Sequence, residues 1–253
     1  MRGIYVFPNL FTAANLAFGF TAIALLTVDE PANLEKAAWF ILFANVFDAM
    51  DGRVARMLKS SSQFGEEFDS LADLISFGVA PACLMLKIAL GNFGTAGLLV
   101  ALLYVICGAA RLARFNVMAR SPNPPSYFFV GCPIPAASTF LASCALYDLV
   151  HFSAFPAGGY LAMTAGAAFL MISTVPYPKK KKSEDGPNTV YFKMAALAGV
   201  AVAMVAYKQD FIFLIATLYI SSGIVWKLGR DLGRLSGYLH RRHKGVAANP
   251  PGH

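Results

Sequence analysis

The stretch DAMDGRVARMLKSSSQFGEEFDSLAD, residues 48–73, carries four aspartates, Asp48, Asp51, Asp69 and Asp73, inside sequence that is otherwise apolar enough to belong in a membrane. At about 100° per residue on a helix, Asp48, Asp51, Gly52 and Ala55 share one face with Arg56 at its edge. Gly65, Asp69, Asp73 and Ser76 line one face of a following helix. Two helices thus point two carboxylates each at a common gap. An ionised aspartate in the hydrocarbon region costs roughly 2.5–3.5 kcal/mol even on the lenient insertion scale, so four together require a polar cavity and a bound cation. Oxygen-only ligands select Mg²⁺, Mn²⁺ or Ca²⁺ over zinc or copper.

The surrounding composition sets the class. Of 253 residues, 57% are hydrophobic and only 14% charged, and the apolar runs recur at the length that crosses a bilayer. The reading is an all-α, polytopic membrane bundle of about eight transmembrane helices. Spans are expected near residues 10–28, 37–58, 68–90, 95–118, 132–152, 157–175, 191–207 and 211–228. The short connections leave no room for a second core, so residues 1–228 form one membrane domain and residues 229–253 a basic tail.

Charge orients the bundle. The connections at 29–36, 91–94, 153–156 and 208–210, with the adjoining helix ends, hold only Lys36, Lys87 and Lys208. Arg2, Arg53, Arg56, Lys59, Arg111, Arg114, Arg120, the run 179–182, Lys193 and the tail from Lys227 to Lys244 collect on the other side. The positive-inside rule then places both termini in the cytoplasm and opens the aspartate cavity toward it. The run 179–182 reads as a topology determinant that also attracts anionic headgroups. Nucleic acid is not the partner, because the charge is spread along one membrane face instead of concentrated in a folded domain.

Other reactive residues offer no second centre. Cys83, Cys107, Cys132 and Cys144 are scattered through apolar segments without CxxC spacing, and His151, His240, His243 and His253 stand away from the aspartates. The first span lacks a cleavage motif before Asp29-Glu30, so it is read as an uncleaved helix. Asn9, Thr12 and Asn15 form a polar stripe on that helix, suited either to interhelical hydrogen bonding or to a ligand headgroup. Arg114 is placed to snorkel, whereas Arg111 lies deeper and needs an anionic partner.

The spacing Asp-x2-Asp-Gly-x2-Ala-Arg-x8-Gly-x3-Asp-x3-Asp resembles, letter for letter, the signature of the CDP-alcohol phosphotransferase family. Within that family three runs resemble the phosphatidylserine synthase branch. They are Pro8-Asn9-Leu10-Phe11-Thr12 with Asn15, Phe68-Asp69-Ser70-Leu71-Ala72-Asp73 leading to Ser76-Phe77-Gly78, and Arg111-Leu112-Ala113-Arg114-Phe115-Asn116 leading to Gly131-Cys132-Pro133-Ile134-Pro135. The resemblance covers roughly the first 140 residues.

It implies a homodimeric, divalent-metal-dependent transferase that moves the phosphatidyl group of CDP-diacylglycerol to L-serine, releasing CMP. Asp48, Asp51 and Asp69 are then metal ligands, and Asp73 is both ligand and general base. Two divalent cations, Mg²⁺ or Mn²⁺, with Ca²⁺ an alternative occupant, would neutralise the pyrophosphate. Gly52, Ala55 and Gly65 leave room for phosphate and nucleotide, Arg56 can grip phosphate oxygens, and Asn9, Thr12 and Asn15 face the CDP group. Arg111 and Arg114 are candidates for the acceptor or a phosphate. Glycerol 3-phosphate or an inositol phosphate is the alternative acceptor, and a metal-ion transporter is the alternative class. The transporter reading leaves Gly52, Ala55 and Arg56 unexplained. From the charge asymmetry, a cysteine introduced near Ser183 or in the tail should resist an impermeant reagent in intact cells, while one near Pro31 should react; the reverse pattern would invert the topology.

Overall fold

A computed structural model describes residues 6–58, 62–120, 128–151, 154–178, 209–227 and 229–230. The helices are α1 (Val6–Thr27), α2 (Pro31–Leu58), α3 (Gln63–Asp73), α4 (Ala80–Ile88), α5 (Thr95–Ala119), α6 (Ile134–Val150), α7 (Ala157–Ile172) and α8 (Gln209–Lys227). A π-helical turn, Leu74–Val79, joins α3 to α4, so that Gln63–Ile88 runs on as one helix.

Four segments of the described residues are long and apolar enough to cross a membrane: Asn9–Thr27, Gln63–Ile88, Thr95–Ala119 and Gln209–Lys227. The expected count of eight is therefore not confirmed among the described residues. α2 has the length, but Glu35, Lys36, Asp48, Asp51, Arg53 and Arg56 make it amphiphilic at both ends. α6 and α7, with 17 and 16 residues, reach about 24–26 Å, short of a hydrocarbon core of about 30 Å. The expected span 191–207, the run 179–182 and the tail beyond residue 230 lie outside the described residues. Helix does not account for everything: β1 (Phe128–Val130) pairs antiparallel with β2 (Pro176–Pro178), Phe128 facing Pro178.

Helix starts follow from local chemistry. Pro31 opens α2, six residues earlier than hydropathy suggested, because proline is tolerated in a first turn where its missing N–H has no intrahelical partner. α3 begins at Ser62, whose hydroxyl accepts from the Gly65 N–H at 3.0 Å. The π turn has a cause in Pro81, which cannot donate to the Phe77 carbonyl four residues back. The fully buried Tyr104 of α5 donates its hydroxyl to that carbonyl at 3.0 Å.

Packing brings α1, α2 and α3 together around one end of the bundle. Phe18 of α1 meets Phe47, Phe40 and Phe43 of α2 at centroid distances of 4.9, 5.6 and 6.1 Å. Buried alanines, among them Ala22, Ala37, Ala38, Ala44 and Ala80, let backbones approach, as in membrane helix pairs generally. A tight crossing is at Gly19, where a Cβ would lie 2.2 Å from Ser76 Oγ and 2.6 Å from Ser76 Cα. Gly19→Ala should therefore push α1 off the π turn and destabilise the protein by about 1–3 kcal/mol, measured as unfolding in detergent. An unchanged transition would show that the crossing has slack.

Candidate active site

The site is assembled from α1, α2, α3 and α5. Asp69 and Asp73 stand one turn apart on α3, and Asp48 reaches them from α2. Each of the three offers a carboxylate oxygen, and these oxygens all lie within 4.8 Å of one another. Asp73 is 7% exposed, and Asp48 and Asp69 are half-buried. Asn15 of α1, wholly buried, donates from Nδ2 to Asp73 Oδ1 at 3.1 Å. Its own carbonyl accepts from Ser76 Oγ at 2.9 Å, one turn below Asp73. Asn15 is thus tied by its side chain to the carboxylate it serves and by its backbone carbonyl to the π turn.

The polar stripe of α1 turns toward this cluster. Thr12 is buried one turn before Asn15, and Asn9 comes close to Gly65, where a Cβ would lie 3.3 Å from Asn9 Oδ1 and 3.2 Å from Ser62 Oγ. Gly65 therefore allows the start of α3 to approach α1. Asp51, Gly52, Ala55 and Arg56 follow on the last turns of α2, and their side chains lie outside the described residues.

A cavity of about 420 Å³ opens beside the carboxylates. Asp69 and Asp73 form one wall, Arg111 of α5 another, and Pro133, Ile134 and Pro135 a third. Arg111 is only 8% exposed, and its Nε finds no hydrogen-bond partner among the described residues. A buried guanidinium N–H left in that state calls for an anionic ligand. The other cation among the described lining residues, Arg120, is ion-paired with Glu67.

Arg114 does something different from Arg111. Its Nη1 and Nη2 donate to the carbonyls of Ile172 and Met171, at 3.1 and 3.3 Å, taking up acceptors freed at the C-terminus of α7. The Cys132 N–H donates to Leu170 O and the Gly131 N–H to Val175 O, both at 2.9 Å. Gly131, at φ +87°, passes so close that a Cβ would sit 2.4 Å from Met171 O. Arg114 and Gly131 together fix the proline-rich wall of the cavity to α7. Sequence reasoning missed this brace, although Arg114 and Gly131 both stood in the motifs quoted above. It also missed the link from Asn116 Nδ2 to Ser70 Oγ at 2.9 Å, which ties α5 to α3 across the cavity rim.

The donor set fits a hard divalent cation. Three carboxylates at such separations in an apolar bundle repel unless a positive charge lies between them, and their oxygens are the ligands that Mg²⁺, Mn²⁺ and Ca²⁺ prefer. The buried Asn15 Oδ1 has no partner among the described residues, so neutral oxygen is also at hand next to the cluster.

Comparison with known proteins agrees with this chemistry. Residues 5–175 match the CDP-alcohol phosphatidyltransferase family. A CDP-diacylglycerol–serine O-phosphatidyltransferase of Helicobacter pylori is 40% identical over 183 residues, 71% of this chain and 74% of that protein. Proteins of the same name from Mycobacterium tuberculosis and Bacillus subtilis are 34% and 38% identical, over 86% and 69% of this chain and 77% and 91% of their own lengths. With the aspartate cluster, the membrane helices and the family match in agreement, the chain belongs to the CDP-alcohol phosphatidyltransferase family.

Proposed function

We propose that this integral membrane protein transfers the phosphatidyl group of CDP-diacylglycerol to the hydroxyl of L-serine, giving phosphatidylserine and CMP. The observation that carries the reading is the cluster of Asp48, Asp69 and Asp73 beside a cavity lined by Asp69, Asp73 and the buried Arg111. The names of the related proteins in Helicobacter, Mycobacterium and Bacillus supply the substrates.

In this reading Asp48, Asp51, Asp69 and Asp73 hold two divalent cations, Mg²⁺ or Mn²⁺. When bound, the cations neutralise the pyrophosphate and polarise the phosphorus under attack. Gly52, Ala55, Gly65, Asn9 and Thr12 leave space and hydrogen-bonding groups for the CDP moiety, and Arg56 holds phosphate oxygens. Asn15 orients Asp73 through the bond from Nδ2. Arg111 receives the serine carboxylate, and the other cation among the described lining residues, Arg120, is paired with Glu67. That balance suits a zwitterionic acceptor better than one carrying an extra phosphate. Arg114 supports the wall instead of contacting the acceptor. The charge asymmetry puts the reaction at the cytoplasmic leaflet, and the family resemblance implies a homodimer.

The reaction balances without a covalent enzyme intermediate. Asp73 takes the proton from the serine hydroxyl, the hydroxyl oxygen bonds to the lipid-bearing phosphorus, and the bond from that phosphorus to the bridging oxygen breaks as CMP leaves. No histidine stands in the motif to act as nucleophile.

The deciding experiment follows CMP release from purified protein given CDP-diacylglycerol and, in turn, serine, glycerol 3-phosphate and an inositol phosphate. Serine should support release and the others should not. Asp48→Asn, Asp51→Asn and Asp69→Asn should each abolish divalent-dependent release while the protein stays folded, and chelation of divalent cations should reproduce the loss in the parent protein. Near-normal turnover in any two of these variants would eliminate the two-metal arrangement.

Asp73→Asn separates base from ligand. CDP-diacylglycerol binding should survive better than turnover, which should fall by about 10²–10⁴-fold, the usual worth of general-base assistance. Direct attack also requires that a chirally labelled phosphate reach the product inverted. Retention of configuration would mean two displacements and a phosphoryl-enzyme.

A further inference from the structure

A zwitterionic acceptor brings an ammonium group as well as a carboxylate and a hydroxyl, and in the proposed reaction Arg111 and Asp73 take the last two. For the ammonium the cavity offers an oxygen on Asn116 of α5. Exposure rises along that helix from Arg111, at 8%, through the half-buried Asn116 to the exposed Arg120, so the cavity opens toward Arg120 and Asn116 stands midway down it. Five residues of helix put Asn116 about 7.5 Å from Arg111 along the axis, a separation that one amino acid spans with a hydrogen bond at each end.

The hydrogen bonds of Ser70 fix which way the Asn116 amide points. Ser70 Oγ donates its one hydrogen to the Glu66 carbonyl at 3.0 Å. Toward Asn116 it can therefore only accept, which it does from Nδ2 at 2.9 Å. A flipped amide would set two acceptors against each other. Nδ2 is thus committed to α3, and Oδ1 is left without a donor among the described residues on a side chain that lines the cavity.

The other side-chain carboxylates of the described lining are placed for other work. Asp69 and Asp73 belong to the carboxylate cluster, and Glu66 is exposed, a turn nearer the start of α3 than Ser70 and in the field of Arg120. We propose that Asn116, oriented by Ser70, receives the ammonium group of the acceptor through Oδ1 and is a specificity-determining residue for serine. The inference deepens the serine reading above and rests on it. An amide oxygen suits this place because it accepts from an ammonium without adding a further anion to a cavity that already holds the carboxylate cluster. The same oxygen repels a phosphate at that height, so Asn116 disfavours glycerol 3-phosphate where Arg111 alone would take either anion.

The test measures initial rates of CMP release by the purified full chain in mixed micelles, with serine and CDP-diacylglycerol varied separately. Asn116→Leu, close in size, should raise KM for serine about tenfold or more, the usual loss of a hydrogen bond to a charged group, and leave KM for CDP-diacylglycerol and the thermal unfolding transition in place. Asn116→Ala, which adds no bulk, carries the same expectation. Asn116→Asp keeps an acceptor and should hold KM for serine within about threefold of the parent. Ser70→Ala, which frees the amide to rotate, should raise KM for serine less than Asn116→Leu does.

Equal impairment of the Leu and Asp variants, or parallel rises in both KM values, would reduce Asn116 to a tether between α5 and α3 and overturn the proposal. A rise confined to KM for CDP-diacylglycerol would put the amide on the phosphates of the lipid and overturn it as well. An unchanged KM for serine in Asn116→Leu together with a rise in Glu66→Gln would give the ammonium to Glu66 instead. The two readings fail separately. A parent protein that responds to glycerol 3-phosphate and not to serine loses the acceptor assignment and this inference with it, whereas a serine-dependent parent indifferent to Asn116→Leu loses this inference alone.

Discussion

Mutual repulsion among three carboxylates is the constraint around which this bundle is organised. Brought within 4.8 Å of one another in apolar surroundings, Asp48, Asp69 and Asp73 do not hold their places by attraction. They are held by helices packed for other reasons. The aromatic contacts of Phe18 bind α1 to α2, and the close passage of Gly19 over Ser76 binds α1 to the helix carrying Asp69 and Asp73. Stability gained from packing thereby keeps in place an arrangement that becomes favourable only when a cation enters, as is common where binding sites are built in advance of their ligands.

The opposite half of the cavity is built differently. It has no carboxylate cluster, and its wall of Pro133, Ile134 and Pro135 is stiff through proline and through anchorage at the end of α7. Arg114 illustrates the economy of this design. A cation that could have faced a ligand is used to satisfy carbonyls that α7 leaves open, and the neighbouring Arg111 stays available to an anion because its Nε has no protein partner among the described residues.

How far was this legible in the amino-acid sequence? Asp48, Asp69 and Asp73 were, because helical periodicity alone places them on facing stripes. Asn15 was found as a polar residue with two uses, and the structure gives it a protein partner, Asp73. The difference between Arg111 and Arg114 was only partly legible. Both lie one turn apart on the same helix, and only the fold reveals that the end of α7 is adjacent to one of them. The expected spans at α6 and α7 run two or three residues past the helix ends for a related reason: hydropathy continues into Cys132 and Pro133 before α6 and into Val175 after α7, residues that belong to the wall and its anchorage. The π turn left a sequence signal in Pro81, four residues after Phe77, but a proline near a helix start has simpler explanations, and the Tyr104 hydroxyl that satisfies the freed carbonyl is distant in sequence.

That π turn has a consequence for how the protein can change over time. A turn with bonds from i to i+5 accommodates one residue more than an α turn, so the helix on either side of Leu74–Val79 is rotated by about 100° relative to an unbroken one. Upstream, the phase is set by Asp69 and Asp73, which must meet Asp48. Downstream, it is set by Leu84 and Met85, which are fully buried in the core. An unbroken helix would impose a single phase on both demands, whereas this one keeps two indices separated by a seam. Repacking of the lower half, to suit a bilayer of another thickness or composition, can then accumulate without turning the carboxylates out of alignment.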